Sequence, residues 1–324
     1  MVTVAVAAIT LAGALAALRL TEPQAGRLIE LVSFTPGGVA ASALGLAGMW
    51  GIRRRAIRRA GAAIAATLLA AHVSWAAPLL LGSAPEPDVA CTMRVMSQNF
   101  EAGDPAALAD LATTLAVDVL IVVEASQGAL TATRAKVATV LPHAAGVSGS
   151  RYAHSVVFSR WPVSGASTSR DGRDTAVTVH SPCLGDVEVL AVHPAPPRSG
   201  GNWTRHFQEI ERFARERLGP GLATGESRVV VAGDFNATLD HVPLRRLLAF
   251  GLRDAAEATN AGWQPTYPAP GSTTWLGLPV PPLVPIDRVL FSGGLAVSHM
   301  WRVTTAGADH VGVVADVHPV RAPS

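Results

Sequence analysis

Charge is scarce in this chain. Only 15% of its residues are Asp, Glu, Lys or Arg, against 49% hydrophobic, and the mean hydropathy is +0.32. A soluble enzyme carries about a quarter charged residues, so the chain as a whole is too apolar for that class. Cysteine is nearly missing as well. Cys91 and Cys183 stand alone, with no neighbouring Cys or His at the short spacing of a zinc site, which excludes a zinc module. Lysine occurs once, at Lys136. Residues 89–324 hold 18 Arg and 1 Lys against 20 Asp and Glu, a net charge of −1, so that stretch has no strong electrostatic preference for nucleic acid. It also lacks any internal repeat or low-complexity tract.

What the chain has instead is apolar length, concentrated at its start. Residues 2–18 carry no charge, residues 31–50 are interrupted only by Ser, Thr, Pro and Gly, and residues 60–81 have His72 and Ser74 as their most polar members. Each run approaches the ~20 residues that cross a ~30 Å hydrocarbon core. A globular helix of that length keeps a polar face, and these do not. About three transmembrane helices are therefore expected in residues 1–81. A cleaved signal peptide fits the first run poorly, because no basic segment precedes it and no small-x-small site follows. Arg53, Arg54, Arg55, Arg58 and Arg59 separate the second run from the third, whereas Arg19 and Arg27 in the opposite loop are balanced by Glu22 and Glu30. The positive-inside rule places the arginine cluster in the cytoplasm and everything after about Leu81 on the extracytoplasmic side of the cell membrane. The lipid bilayer is an expected partner, and no protein partner is predicted.

Residues 82–88, rich in Pro, Gly and Ser, read as a linker, and residues 89–324 as one globular domain. Outside the membrane Cys91 and Cys183 could form a disulfide; two partly buried free thiols are the alternative. Strands are predicted at 93–98, 155–159, 176–180, 187–192, 228–232, 288–291 and 311–317. Val119–Val123 is a continuous apolar run, hence a strand buried on both faces. Asp104-Pro105 reads as an N-cap followed by Pro at the first helical position, opening a helix to about residue 115. A second helix over 203–218 puts Trp203, Phe207, Ile210, Ala214 and Leu218 on one stripe, with Gly219-Pro220 to end it. Strands with so few helices between them imply two packed sheets flanked by helices, an α/β domain that is not simply doubly wound.

Chemistry-bearing residues gather at strand ends. Gly233-Asp234-Phe235-Asn236 follows the apolar run Val229-Val230-Val231-Ala232. Alternation along a strand points Asp234 and Asn236 the same way, although Asp and Asn after a strand also make ordinary turns. Asn99 and Glu124 close two earlier strands, His193 closes another, and Asp309-His310 precedes the last. Each has a quieter reading. Glu124 could cap the following helix, Asn99 could make an Asx-turn, Asp287-Arg288 could be a local ion pair, and His193 could be only a strand-end histidine. His154, His206, His241 and His318 read as structural or surface residues. Tyr152 and Trp275 could line a groove or fill the core. Arg151, Arg160, Arg170, Arg173, Arg198 and Arg205 could gather near the site, and the 194–201 loop could form its lip.

The order Ser97-Gln98-Asn99, Val122-Val123-Glu124, Val192-His193, Gly233-Asp234-Phe235-Asn236, Ile286-Asp287-Arg288, Asp309-His310 resembles the endonuclease/exonuclease/phosphatase superfamily. That superfamily includes DNase I-like nucleases, abasic-site endonucleases, sphingomyelinases and inositol-polyphosphate phosphatases. The resemblance covers most of residues 93–317 and none of the apolar N-terminus. It implies a four-layer α/β/β/α sandwich and a Mg²⁺ or Mn²⁺ ion held principally by Glu124, with Asn99 beside it and Asp309 contributing. It implies Asp234 as the group that orients and deprotonates the attacking water, and Asn236 as a phosphate contact. His310 would meet the phosphoryl oxygen as an imidazolium steadied by Asp287, and His193 would meet the phosphate or the leaving group.

The residue chemistry agrees independently. Phosphoester cleavage needs neutralised phosphoryl charge, an activated water and help for the leaving oxygen, and Glu124 and Asn99 offer the hard oxygens that Mg²⁺ or Mn²⁺ prefers. The expected function is a divalent-metal-dependent phosphoesterase acting outside the cytoplasmic membrane on a phosphodiester, either nucleic acid or a phospholipid head group. A silent membrane-bound interaction module is a third reading, which the complete set of site residues disfavours. An apolar mouth would favour lipid and a basic groove nucleic acid.

Overall fold

In the computed structural model the described residues are 2–83, 85–146, 155–169, 172–222 and 226–321, with backbone alone for 217–222. Tyr152, His154, Arg151 and Arg170 lie outside them, as does the Leu218 side chain. The N-terminal region holds α1 (Val2–Leu20), α2 (Gly26–Val32), α3 (Gly37–Gly48), α4 (Arg55–Ala76) and α5 (Pro78–Leu81). The domain continues with β1 (Met93–Asn99), α6 (Pro105–Thr114), β2 (Val119–Val123), α7 (Gln127–Val137), β3 (His143–Ala145), β4 (Val156–Ser159), β5 (Val163–Thr168), β6 (Thr175–Ser181) and β7 (Gly185–Val192). Then come α8 (Gly201–Leu222), β8 (Val229–Asp234), α9 (Val242–Ala249), β9 (Arg253–Asp254), α10 (Ala255–Ala258), β10 (Thr274–Trp275), β11 (Leu278–Pro279), β12 (Asp287–Phe291), β13 (Leu295–Thr304) and β14 (Val311–Pro319).

Side-chain alternation in the central strands dictates the layers. In β2, Val119, Ile121 and Val123 enter one buried cluster while Leu120 and Val122 enter another. In β8, Val230 and Ala232 face the first cluster and Val229 and Val231 a third. A strand apolar on both faces has to be covered on both. One sheet, ordered β13-β14-β1-β2-β4-β3, therefore stacks on a second, ordered β5-β6-β7-β8-β12-β9. Phe100, Leu108 and Phe158 fill the space beneath α6 and α7, and Trp203, Phe207 and Leu244 that beneath α8 and α9. The result is the expected α/β/β/α sandwich. Cys91 and Cys183 are disulfide-bonded with Cα atoms 5.7 Å apart, which ties the entry to β1 in one sheet to the β6–β7 turn in the other.

Three helical expectations need correction. The 203–218 helix begins at Gly201 and runs through Gly219-Pro220 to Leu222; Pro220 removes one N–H from the ladder, and the helix ends two residues later. The 31–50 run is not one helix. Its first two residues end α2, which starts at Gly26, and α2 meets the segment from Gly37 to Gly51 at a bend of 73°. Pro36 lacks an N–H, and Thr35 Oγ1 donates to Val32 O at 2.7 Å, closing α2. The third run also shifts, since α4 starts at Arg55 and stops at Ala76, before Pro78 opens α5. Among the described residues two helices are long and apolar enough to cross a membrane, three spans if the bent pair is counted as one.

The bend lays α2 on the domain. Ile29 is 1% exposed and joins the core beneath α8 and α9. Ile29 O lies 2.9 Å from His241 Nε2, Arg19 Nε donates to Asp240 at 2.8 Å, and Arg198 Nε donates to Glu30 at 2.6 Å.

Candidate active site

The two parallel strand pairs, β1–β2 in one sheet and β7–β8 in the other, finish at the same end of the sandwich. Asn99 stands opposite Val123, Val192 opposite Gly233, and Asp287 opposite Asp234. Asn99, Glu124, His193 and Asp234 thereby leave four strand ends into one cleft, and the loop before β14 adds Asp309 and His310. Gly233 adopts φ +150° against the Val192 carbonyl, where a Cβ would collide with that oxygen, so only glycine lets β7 and β8 close here. Glu124 and Asn236 are non-glycine residues in the left-handed region, at φ +59° and +48°, a costly conformation that concentrates at functional sites.

The quieter readings can now be judged. Glu124 does not cap the next helix, because Ser126 Oγ accepts the Ala129 N–H there. Asn99 makes an Asx-turn and also reaches carboxylates of the cleft. Its Oδ1 accepts the Glu101 N–H at 3.3 Å in an Asx-turn, while its Nδ2 donates to Glu124 Oε2 at 2.8 Å and Asp234 Oδ2 at 3.1 Å. Its amide nitrogen, not its oxygen, thus faces the carboxylates. Asp287 and Arg288 are not each other's partners: Asp287 Oδ2 meets His310 Nδ1 at 2.8 Å, and Arg288 Nη1 donates to Asp254 at 2.9 Å. His193 Nε2 lies 3.3 Å from Glu124 Oε2 and 3.9 Å from Asp234 Oδ2. His310 Nε2 lies 3.9 Å from that same Asp234 oxygen. Asp234 Oδ1 accepts the Asn236 N–H at 2.7 Å, and Asn236 Nδ2 donates to Pro194 O at 3.1 Å. His206, His241 and His318 bond to backbone atoms at Ala195, Ile29 and Cys91, as structural histidines do.

Electrostatics divides the carboxylates. Burial alone would raise the Glu124 pKa, but the hydrogen bond and charge of His193, with Asn99 and His310, bring it down to about 2. Burial and then the Asp287 charge raise Asp234 above the usual carboxylate range, against the pull of His310 and His193. Burial would lower His310, yet the Asp287 and Asp234 charges and the Asp287 hydrogen bond outweigh it and hold the imidazole up to about 10. The site therefore offers a committed anion, a basic carboxylate and a committed imidazolium.

A sequence model of the Endonuclease/Exonuclease/phosphatase family matches residues 96–310, from within β1 to the site histidine. The chain belongs to the endonuclease/exonuclease/phosphatase family. Among solved structures, truncated Caenorhabditis elegans TDP2 shares 18% identity at a TM-score of 0.56, over 70% of this chain and 97% of that one. The Neisseria 3′ phosphatase NExo bound to a product DNA hairpin shares 17% at 0.52, over 69% and 98%. An endonuclease/exonuclease/phosphatase from Beutenbergia cavernae shares 20% at 0.51, over 72% and 73%. No curated protein matches the chain in sequence. Family membership makes the chain a metal-dependent phosphoric ester hydrolase.

The residues of this family member fit a divalent cation. Ligand atoms of Glu124, His193 and Asp234 lie within 4.8 Å of one another, as do those of Asp234, Asp287 and His310. Asp309 belongs to neither trio, but its Oδ1 is buried with no hydrogen-bond partner in the same cleft, an orphan that a cation would satisfy. Sequence reasoning missed Glu101 and Tyr267, which also line the cleft. Glu101 was findable, as a carboxylate two residues past Asn99 in the turn that leaves β1. Tyr267 was not, because only the fold carries its ring to 4.7 Å from that of His310. The 194–201 loop does form a lip, through Pro196, Pro197 and Arg198. Arg198 is the one arginine among the described lining residues. Arg160 and Arg205 turn to Asp118 and Glu209, and Arg173 Nη1 donates to His193 O.

Proposed function

We propose that this chain hydrolyses phosphodiesters on the extracytoplasmic side of a cell membrane, with Mg²⁺ or Mn²⁺ held by Glu124 and Asp309. The observation that carries this reading is the Asp287–His310–Asp234 line, 2.8 Å and then 3.9 Å, opening on the cleft. When bound, the cation neutralises charge on the phosphoryl oxygens. Asn99 holds Glu124 and Asp234 in register. Asp234 Oδ2 accepts the proton of the attacking water, a role that its raised pKa favours at neutral pH. His310, turned by Asp287, directs Nε2–H at a phosphoryl oxygen. His193 does the same toward the leaving oxygen, and Asn236 Nδ2 keeps a second N–H for the phosphate. The Cys91–Cys183 disulfide supports an oxidising compartment.

The test uses the full chain in detergent with bis(p-nitrophenyl) phosphate. Hydrolysis should need Mg²⁺ or Mn²⁺, stop in EDTA, and fall about 10²- to 10⁴-fold in Asp234→Asn, the usual share of a general base. A folded, metal-binding protein that hydrolyses nothing would sink the catalytic reading. Two substrate classes remain supported by separate observations. The Neisseria neighbour holds product DNA, which supports nucleic acid. The mouth, with Phe34, Pro196, Pro197 and Leu283 and without a basic groove among the described residues, supports a phospholipid.

A further inference from the structure

We propose that the bend after α2 is a working wall of the catalytic cleft, and that the cleft faces the outer leaflet to take a phosphoester carried on a membrane-resident amphipath. This rests on the phosphodiesterase reading and narrows its substrate. Glu30, Ser33 and Phe34 line the same cleft, about 510 Å³, as Asp234 and His310. Their position is built into the fold. Ile29 is locked into the α8–α9 core, and Glu30 pairs with Arg198 of the lip. Gly26 passes so close to the lip that a Cβ would stand 2.8 Å from Arg198 Cα, so a side chain there would push the wall away.

The direction of the mouth follows from the helix ends. Leu20, where α1 stops, and Ala76, where α4 stops, mark the same side of the expected bilayer. At that level Trp75 and Ala76 share a cavity of about 450 Å³ with Pro36, Trp263, Gln264 and Pro285. The 263–286 segment is thus seated on the ends of the spans. Its inner residues Tyr267, Leu283 and Val284 form the cleft rim. Its outer end is the β10–β11 hairpin, where Trp275, Leu276 and Leu278 are 72%, 82% and 70% exposed. Such an apolar tip is unfavourable in water, and Trp and Leu suit the level of lipid head groups and upper acyl chains. Phe34 and Leu283, themselves half-exposed at the mouth, offer apolar surface to the part of the substrate next to its phosphate. Among the described residues a nucleic acid would find no basic track there.

The experiment compares the full chain in detergent, on bis(p-nitrophenyl) phosphate, with the full chain in nanodiscs of phosphatidylethanolamine and phosphatidylglycerol, read by ³¹P NMR. Plasmid DNA is run alongside. The expected result is cleavage of nanodisc phospholipid. In Phe34→Ala and in Trp275→Ser/Leu276→Ser/Leu278→Ser, the ratio of lipid to soluble kcat/KM should fall at least tenfold, through KM. An unchanged ratio in both variants overturns the proposal. So does cleavage of DNA, or of the soluble ester alone, with the lipid untouched; the phosphodiesterase reading then survives. No hydrolysis of the soluble ester, the lipid or the DNA with either metal overturns both. Independently of folding losses in the triple variant, a bimane label on Leu276→Cys should be quenched by brominated lipid in the nanodisc. A label that stays in water overturns the hairpin's place in the leaflet.

Discussion

His310 is the residue whose surroundings most constrain the chemistry. Three carboxylates face it, and the nearest, Asp287, also fixes which ring nitrogen points at the cleft. Its active form is the imidazolium, present below its pKa and lost as pH rises through about 10. Removing the Asp287 charge lets that pKa fall toward its ordinary 6.5. Asp287→Asn should therefore shift the alkaline limb of the kcat/KM profile to lower pH and reduce the plateau about 10- to 100-fold, as outer partners of functional histidines do. An unmoved limb would show that His310 is not the titrating acid. Gly233→Ala, by contrast, should cost stability, because its Cβ meets the Val192 carbonyl; thermal melting should fall before any kinetic effect can be measured. At this scale the sequence was legible wherever a polar residue closed an apolar strand, as Asn99, Glu124, His193 and Asp234 do. It could not say whether Glu124 caps a helix or Asp287 pairs with Arg288, since both depend on where neighbouring chains lie.

Among the elements, α2 was the hardest to foresee. Residues 26–30 were expected in a loop and 31–32 at the start of a continuous span, and Pro36-Gly37-Gly38 instead turns all of α2 out onto the domain. His241 holds it there. Thr238 N–H donates to Nδ1, which leaves Nε2–H to donate to Ile29 O. Burial, only partly offset by those backbone bonds, lowers the His241 pKa to about 4 from 6.5. Between these values the undocked state binds the extra proton, so docking is complete above about 6.5 and weakens as pH falls toward 4. The shift is worth roughly 3 kcal/mol at most. The protection factors of the Gly26–Val32 amides, corrected for the intrinsic exchange rate at each pH, should therefore fall by as much as roughly a hundredfold between pH 7.5 and 4.5. His241→Phe should remove that pH dependence; a slope that persists would place the titrating group elsewhere.

For the molecule as a whole, the disulfide couples the two sheets across 92 residues of sequence. Cys91→Ser with Cys183→Ser should cost about 2–5 kcal/mol of stability and leave the metal requirement of hydrolysis intact, as a denaturation series with and without EDTA would show. The sequence by itself determined that the central strands are covered on both faces, because they are apolar on both, and the few helices between strands pointed to a second sheet as one of the covers. It determined the residue types at the strand ends, and it set the apolar N-terminus apart from the domain. Only the tertiary structure decided that Cys91 and Cys183 pair, that Tyr267 reaches His310, and that Phe34 borders the catalytic cleft. Those contacts join residues far apart in the chain, and their distances depend on how twisted sheets stack and where one helix bends. No local pattern in a sequence carries that information.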